Sequence, residues 1–167
     1  IQLIGSDFSG DTTRLRGTVL LSGNKYRVET PGQTVVTNGE TTWIYTPADS
    51  QVVVNDAGSG ATQVTPKTFL TASDDRYRIT ESTPSSRAGT PHVKLSLTAT
   101  DSSSRFKEAT LWVRRSDRIV TRVRAADRNG STLDLRLENI EVNPPLSNSA
   151  FTFAPPSGIE VVDLRPR

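Results

Sequence analysis

Residues 33 to 54 read QTVVTNGETTWIYTPADSQVVV: two β-branched runs and an aromatic one, parted by turn residues. Asn38-Gly39 tolerates φ > 0 at both central positions of a two-residue hairpin turn, so it predicts two strands meeting there. Trp43 and Tyr45 stand two residues apart on the second strand and therefore point to one face of a sheet. That face needs an apolar neighbour or an apolar guest.

The same period of two runs outward from this hairpin. Leu133, Leu135 and Leu137 alternate with Asp134, Arg136 and Glu138, and Val93, Leu95 and Leu97 with His92, Lys94 and Ser96. Tyr26 and Val28 alternate with Lys25 and Arg27, and Leu15, Val19 and Leu21 with Arg14, Arg16 and Thr18. Strands with one wet face belong to antiparallel sheets, since parallel strands covered on both faces read as continuous apolar runs. A three-residue loop at Asn129–Ser131 would pair Val123 with Leu137 and Ala125 with Leu135. A loop at Arg115–Asp117 would pair Val113 with Ile119 and Leu111 with Thr121. The last four long strands are thus expected to form a meander with one inner face.

Helical signal is confined to Thr65-Pro66 through Ala72, where Thr can cap, Pro can take the first helical position, and Phe69 and Leu70 face something apolar. Residues 56–61, 82–91, 101–104 and 143–149 are rich in Gly, Pro, Ser or Asn and read as loops. No internal repeat or linker divides the 167 residues, so one domain, 1–167, is expected.

Twenty Lys and Arg against 18 Asp and Glu leave a formal charge of +2, too small for a nucleic-acid reader whose basic residues would also be interleaved with aromatics. The densest basic cluster is Arg114, Arg115, Arg118, Arg122 and Arg124. It reads as a solvated strand face, with an anionic partner or lipid headgroups as the other reading. The chain has no cysteine, which removes disulfides and thiolate metal sites. No run approaches the ~18 apolar residues of a membrane span, so the chain reads as soluble. Its start at Ile1, inside a strand-like segment, reads as the remainder after removal of an N-terminal piece such as a targeting signal.

Catalytic chemistry is hard to find. The single histidine, His92, lacks a G-x-S-x-G elbow, an H-E-x-x-H pattern or a second histidine, and reads as a surface residue at a strand start. Asp74-Asp75 and Glu138/Glu141 are carboxylate pairs in sequence alone. No glycine-rich segment stands between a strand and a long helix to cradle phosphate. No cofactor or metal and no enzymatic activity are expected. The architecture expected is mainly β: an incomplete, strongly curved antiparallel barrel with a short helical lid over an apolar cavity.

Four blocks carry a resemblance: GTVLLSGNKYRVET, then QTVVTNGETTWIYTPADSQV, then TPKTFL, then FTFAPPSGIEVVD. In this order, over almost the whole chain, they resemble the LolA family of periplasmic lipoprotein carriers. The resemblance implies a monomer whose cavity shields lipoprotein acyl chains between inner and outer membrane. Implied partners are acylated lipoproteins, an inner-membrane ABC-type exporter and an outer-membrane receptor, with transient contacts at membranes and none to nucleic acid. The acyl-chain lining expected on that basis is Tyr26, Val28, Trp43, Tyr45, Phe69, Leu70, Leu95, Leu97, Leu111, Val113, Leu133 and Leu135, each of which could equally be ordinary core.

Two departures from the family pattern stand out. An amphipathic helix that members carry before the first strand is not wholly contained here. The Arg-Pro doublet whose arginine latches the lid in many members is replaced by Ser22-Gly23. A lipid sensor, or a lipid-anchored receptor of the same fold, is the alternative to a carrier. Residues upstream of Ile1 discriminate: a plain signal peptide favours the carrier and a lipobox cysteine the receptor. A hydrolase would need polar residues clustered inside the cavity.

Overall fold

A computed structural model describes residues 2–6, 12–57, 76–102, 104 and 106–166. In chain order its strands are β1 (Gln2–Ser6), β2 (Thr12–Arg16), β3 (Thr18–Ser22), β4 (Lys25–Glu29), β5 (Thr34–Thr37), β6 (Thr41–Thr46) and β7 (Gln51–Asp56). They continue with β8 (Tyr77–Arg87), β9 (Thr90–Ala99), β10 (Phe106–Arg114), β11 (Val120–Asp127), β12 (Thr132–Arg136) and β13 (Glu160–Asp163). Short 3-10 turns occupy Pro47–Asp49 and Asn148–Phe151. The mainly β fold holds, and its strands fall into two open sheets. One has the order β2-β1-β12-β11-β10-β9-β8, the other β13-β7-β6-β5-β4-β3. They belong to two compact units, Ile1–Leu15 with Thr68–Ile140, and Arg16–Lys67 with Glu141–Arg167. The expected helix at 65–72 lies outside the described residues.

In the seven-stranded sheet, β9 to β12 form the expected four-stranded meander, and β8 extends it at the edge. Cross-strand partners share a face, so Leu135, Val123, Leu111 and Leu95 make one apolar row, and Leu133, Ala125, Ala109 and Leu97 a second. The opposite face carries Arg136, Arg122, Trp112 and Lys94 in one row and Asp134, Arg124, Thr110 and Ser96 in the next.

The faces match the expectation, but the registers differ by two residues. Val123 pairs with Leu135, not Leu137, and Leu111 with Val123, not Thr121. In the first loop the Asp127 carboxylate accepts the N–H groups of Asn129 and Ser131, both at 2.9 Å, which moves the loop to residues 128–130. In the second, Asp117 binds Arg114, and Arg118 adopts φ 60°. The loop lengthens to 115–118 and a bulge opens opposite Trp112 and Val113.

Residues 82–91, expected as a loop, are mostly strand: β8 and β9 pair through Arg87 and Thr90, leaving Ala88-Gly89 as the turn. Pro84 is tolerated because β8 is at the sheet edge, where a missing N–H breaks no ladder. His92 is buried rather than exposed. Its Nδ1 donates to the Thr90 carbonyl at 2.8 Å, and its Nε2 lies 2.9 Å from the hydroxyl oxygen of Thr121.

The six-stranded sheet begins where the strand expected over residues 14–21 breaks at Gly17. A Cβ there would collide with the Glu29 carbonyl oxygen, so only glycine lets the two backbones approach. The Asn38 hairpin exists, but its turn is shifted. Thr37 pairs with Thr42, Gly39 alone takes φ 95°, and Asn38 stays out of the left-handed region. The Asn38 amide oxygen accepts the N–H groups of Glu40 and Thr41 at 2.9 and 2.8 Å, replacing the backbone bond a two-residue turn would make.

Candidate functional site

The register of the six-stranded sheet assigns every residue to one of two faces, and the faces are filled differently. On one, Arg27, Val36, Trp43 and Val54 form a row, with Thr34, Tyr45 and Val52 in the next. Val36 and Val52 have no exposed surface, and the chain after Ser147 reaches this face at Arg27 and Tyr45. Phe151 is buried there and Phe153 meets Tyr45 with ring centroids 5.7 Å apart. The Arg27 guanidinium donates to the carbonyls of Ala150 and Thr152, both at 3.4 Å, while its Nε holds Glu29 at 2.7 Å. On this face Val36, Val52 and Val54 are buried, while Arg27, Thr34, Trp43 and Tyr45 are half-buried.

The other face presents Val19, Val28, Val35, Ile44, Val53 and Val162 in a single row across six strands. All six are only half-buried. Beside them Leu21, Tyr26, Thr37 and Thr42 form the next row. Tyr26 is buried, and burial pushes its phenol above the usual range, so the ring stays neutral. Thr37 donates to the Thr41 carbonyl at 2.9 Å and accepts the Gly39 N–H, so this polar pocket is satisfied internally. Five valines and one isoleucine therefore make a broad apolar strip with no charge within it. At about 4.8 Å per strand the strip spans about 24 Å.

Trp43 and Tyr45, which opened the sequence reading, are half-buried on the face that meets Phe153, opposite Tyr26 and Val28. The expected lining residues of this sheet thus divide between two faces. In the seven-stranded sheet Leu95, Leu97, Leu111, Val113, Leu133 and Leu135 do share a face; Leu97, Leu111 and Leu135 are buried, and Leu95, Val113 and Leu133 half-buried. Phe69 and Leu70 lie outside the described residues. Val19, Val35, Ile44, Val53 and Val162 were not anticipated. Their signal was present in Val35-Val36 and in Val52-Val53-Val54, continuous runs that mark strands apolar on both sides.

A chain of this fold has relatives. The family described as "Outer membrane lipoprotein carrier protein LolA" matches residues 7–154. An outer-membrane lipoprotein carrier protein of Dechloromonas aromatica (strain RCB) is 32% identical over 131 residues, 78% of this chain and 61% of that protein. One of Haemophilus influenzae (strain PittEE) is 30% identical over 149 residues, 85% of this chain and 67% of that protein. The chain thus spans about two thirds of the length of these relatives or less. An uncharacterized conserved protein from Thermus thermophilus superposes with a TM-score of 0.57 at 16% identity, over 97% of this chain and 87% of that one, which shows a shared fold. With a match that runs through both compact units and nearly the whole sequence, the chain belongs to the LolA family of outer-membrane lipoprotein carrier proteins.

Proposed function

We propose that residues 1–167 act as one periplasmic carrier domain that shields the acyl chains of lipoproteins passing from inner to outer membrane. The observation that supports it best is the half-exposed strip from Val19 to Val162, beside family membership. An acyl chain spans half of a bilayer's hydrocarbon core, about 15 Å, so a strip of about 24 Å can take its full length. Moving one chain of about 14 carbons through water costs roughly 11 kcal/mol at ~0.8 kcal/mol per methylene. A surface that offers β-branched contacts without a fixed polar partner lowers that cost while leaving release feasible. Tyr26 and Val28 belong to this strip, and the apolar rows around Leu95, Leu111 and Leu133 form a second shielding surface in the other sheet. Trp43 and Tyr45 act as supports. An inner-membrane ABC-type exporter would load the carrier and an outer-membrane receptor unload it. The domain requires no cofactor and performs no covalent step.

Native mass spectrometry of the protein with a triacylated lipoprotein, and with its unacylated form, tests this reading. A complex with the acylated form alone is expected. Equal binding of both forms, or of neither, would leave a lipid-independent role for the fold and sink the carrier.

A further inference from the structure

The seven-stranded sheet has a second surface that acyl-chain shielding does not use. On the face opposite its leucines, Arg122 holds Asp134 through two bonds at 2.8 and 2.5 Å and lies 4.8 Å from the centre of the Trp112 ring. Arg124 and Arg136 approach the same Asp134 oxygen at 3.7 and 3.5 Å, so three guanidiniums share one carboxylate. Lys94 stands directly across from Trp112 in the same row. Arg87, at the end of β8, is close enough to Arg122 and Arg136 for their charges to depress its pKa, after burial, the larger cause. Asp134 and Glu138 are the acids within this group, which leaves a surplus of three positive charges in a chain whose whole net charge is +2. The rest of the molecule is therefore slightly acidic. Arg114 is neutralised by Asp117, and two further acids edge the patch on the same face: Glu108, two residues from Thr110 on β10, and Glu81, which accepts the Ser96 hydroxyl.

Like charges on neighbouring strands repel, and a fold keeps them together only at a cost. Asp134 offsets one charge. Arg124 and Arg136 remain more than a third exposed at their side chains. We propose that this face docks on the anionic headgroups of a phospholipid membrane. The cations and the Trp112 ring are spread over one side of a sheet rather than gathered along a groove that would grip a single chain. Cations on neighbouring strands beside an indole match an anionic membrane surface, where each cation acts independently of register. This docking is independent of acyl-chain carriage, since it involves the opposite side of the sheet and needs no cargo.

The test is sedimentation of the full chain with vesicles of equal parts phosphatidylglycerol and phosphatidylcholine, and with phosphatidylcholine alone. Binding is expected only to the first, weakening as salt shortens the Debye length from about 30 Å at 0.01 M to about 3 Å at 1 M. Neutralising Arg124 and Arg136 together (Arg124→Gln, Arg136→Gln) leaves the Arg122 pair to Asp134 intact. At about fivefold per cation it should lower the partition coefficient about 25-fold. Lys25→Gln with Arg165→Gln, which removes the same charge from the other sheet's unit, should leave it near the wild-type value. Equal losses in both double variants, equal binding to both vesicles, or no binding at low salt would overturn the proposal. Capture of soluble polyglutamate with no vesicle binding would also overturn it, in favour of an acidic protein partner. A thermal melt of each variant establishes that it is folded.

Discussion

Val35 and Val36 are neighbours of one type with opposite roles, because a strand turns successive side chains to opposite faces. Val36 is fully buried, so Val36→Asp places an unpaired charge where no water reaches and should cost about 4 kcal/mol or more, read as loss of the folded baseline in urea. Val35→Glu should retain a cooperative melt yet lose the complex with triacylated lipoprotein. Equal unfolding of both would mean that the Val35 face is also closed core. Asp134 makes a second residue-scale case. Hydrogen bonds from Arg122 hold its carboxyl below the usual range, against burial, which raises it. With a depressed folded pKa, its stabilisation is present above the unfolded value near ~3.9 and is lost as pH falls through the folded value. Asp134→Asn should therefore destabilise by about 1 to 3 kcal/mol at neutral pH, and its melting temperature should converge on wild type as the pH falls through the depressed folded pKa of Asp134.

At the level of elements, two devices shape the six-stranded sheet. The first is the break at Gly17, where β3 starts against the Glu29 carbonyl. Gly17→Ala forces that backbone apart and should cost about 2 kcal/mol, with hydrogen exchange accelerating in β3 and β4 before the rest of the sheet. Uniform exchange would indicate that the strain is absorbed elsewhere. The second is the C-terminal segment held by Phe151 and Arg27. Phe151→Ala should cost about 3 to 5 kcal/mol, as large aromatic truncations in cores do. Arg27→Ala removes two carbonyl contacts at the surface and should cost about 1 kcal/mol. Near-equal effects on urea midpoints would show that the arginine, not the ring, anchors the segment.

For the whole molecule, the two sheets share a design in which one side is chemically committed. The six-stranded sheet has buried valines among half-buried aromatics on one face and an apolar strip on the other. The seven-stranded sheet sets leucine rows against a cationic face. Shielding of lipid chains and approach to anionic headgroups then use different faces. The double variant Val35→Glu with Ile44→Glu should abolish lipoprotein carriage yet leave vesicle binding unchanged, whereas Arg124→Gln with Arg136→Gln should do the reverse. Loss of both activities in either variant would show that one surface serves both.

The alternation of Leu133, Leu135 and Leu137, of Leu95 and Leu97, and of Tyr26 and Val28 by itself determined that the chain is a mainly β, antiparallel protein, and which side of each strand is apolar. Period two is a local property, and burial of one face enforces it. Tertiary structure decided what periodicity cannot carry. The Asp127 and Asn38 side chains capped backbone N–H groups and moved two turns, which shifts register without altering alternation. The parallel pairing of β13 with β7 joins residues about a hundred positions apart, and no local pattern encodes that distance. Above all, the chain brings Phe153 back against Tyr45, on the face that Trp43 shares, and local periodicity does not carry that contact. A strand apolar on both sides does not say which side its own chain will cover.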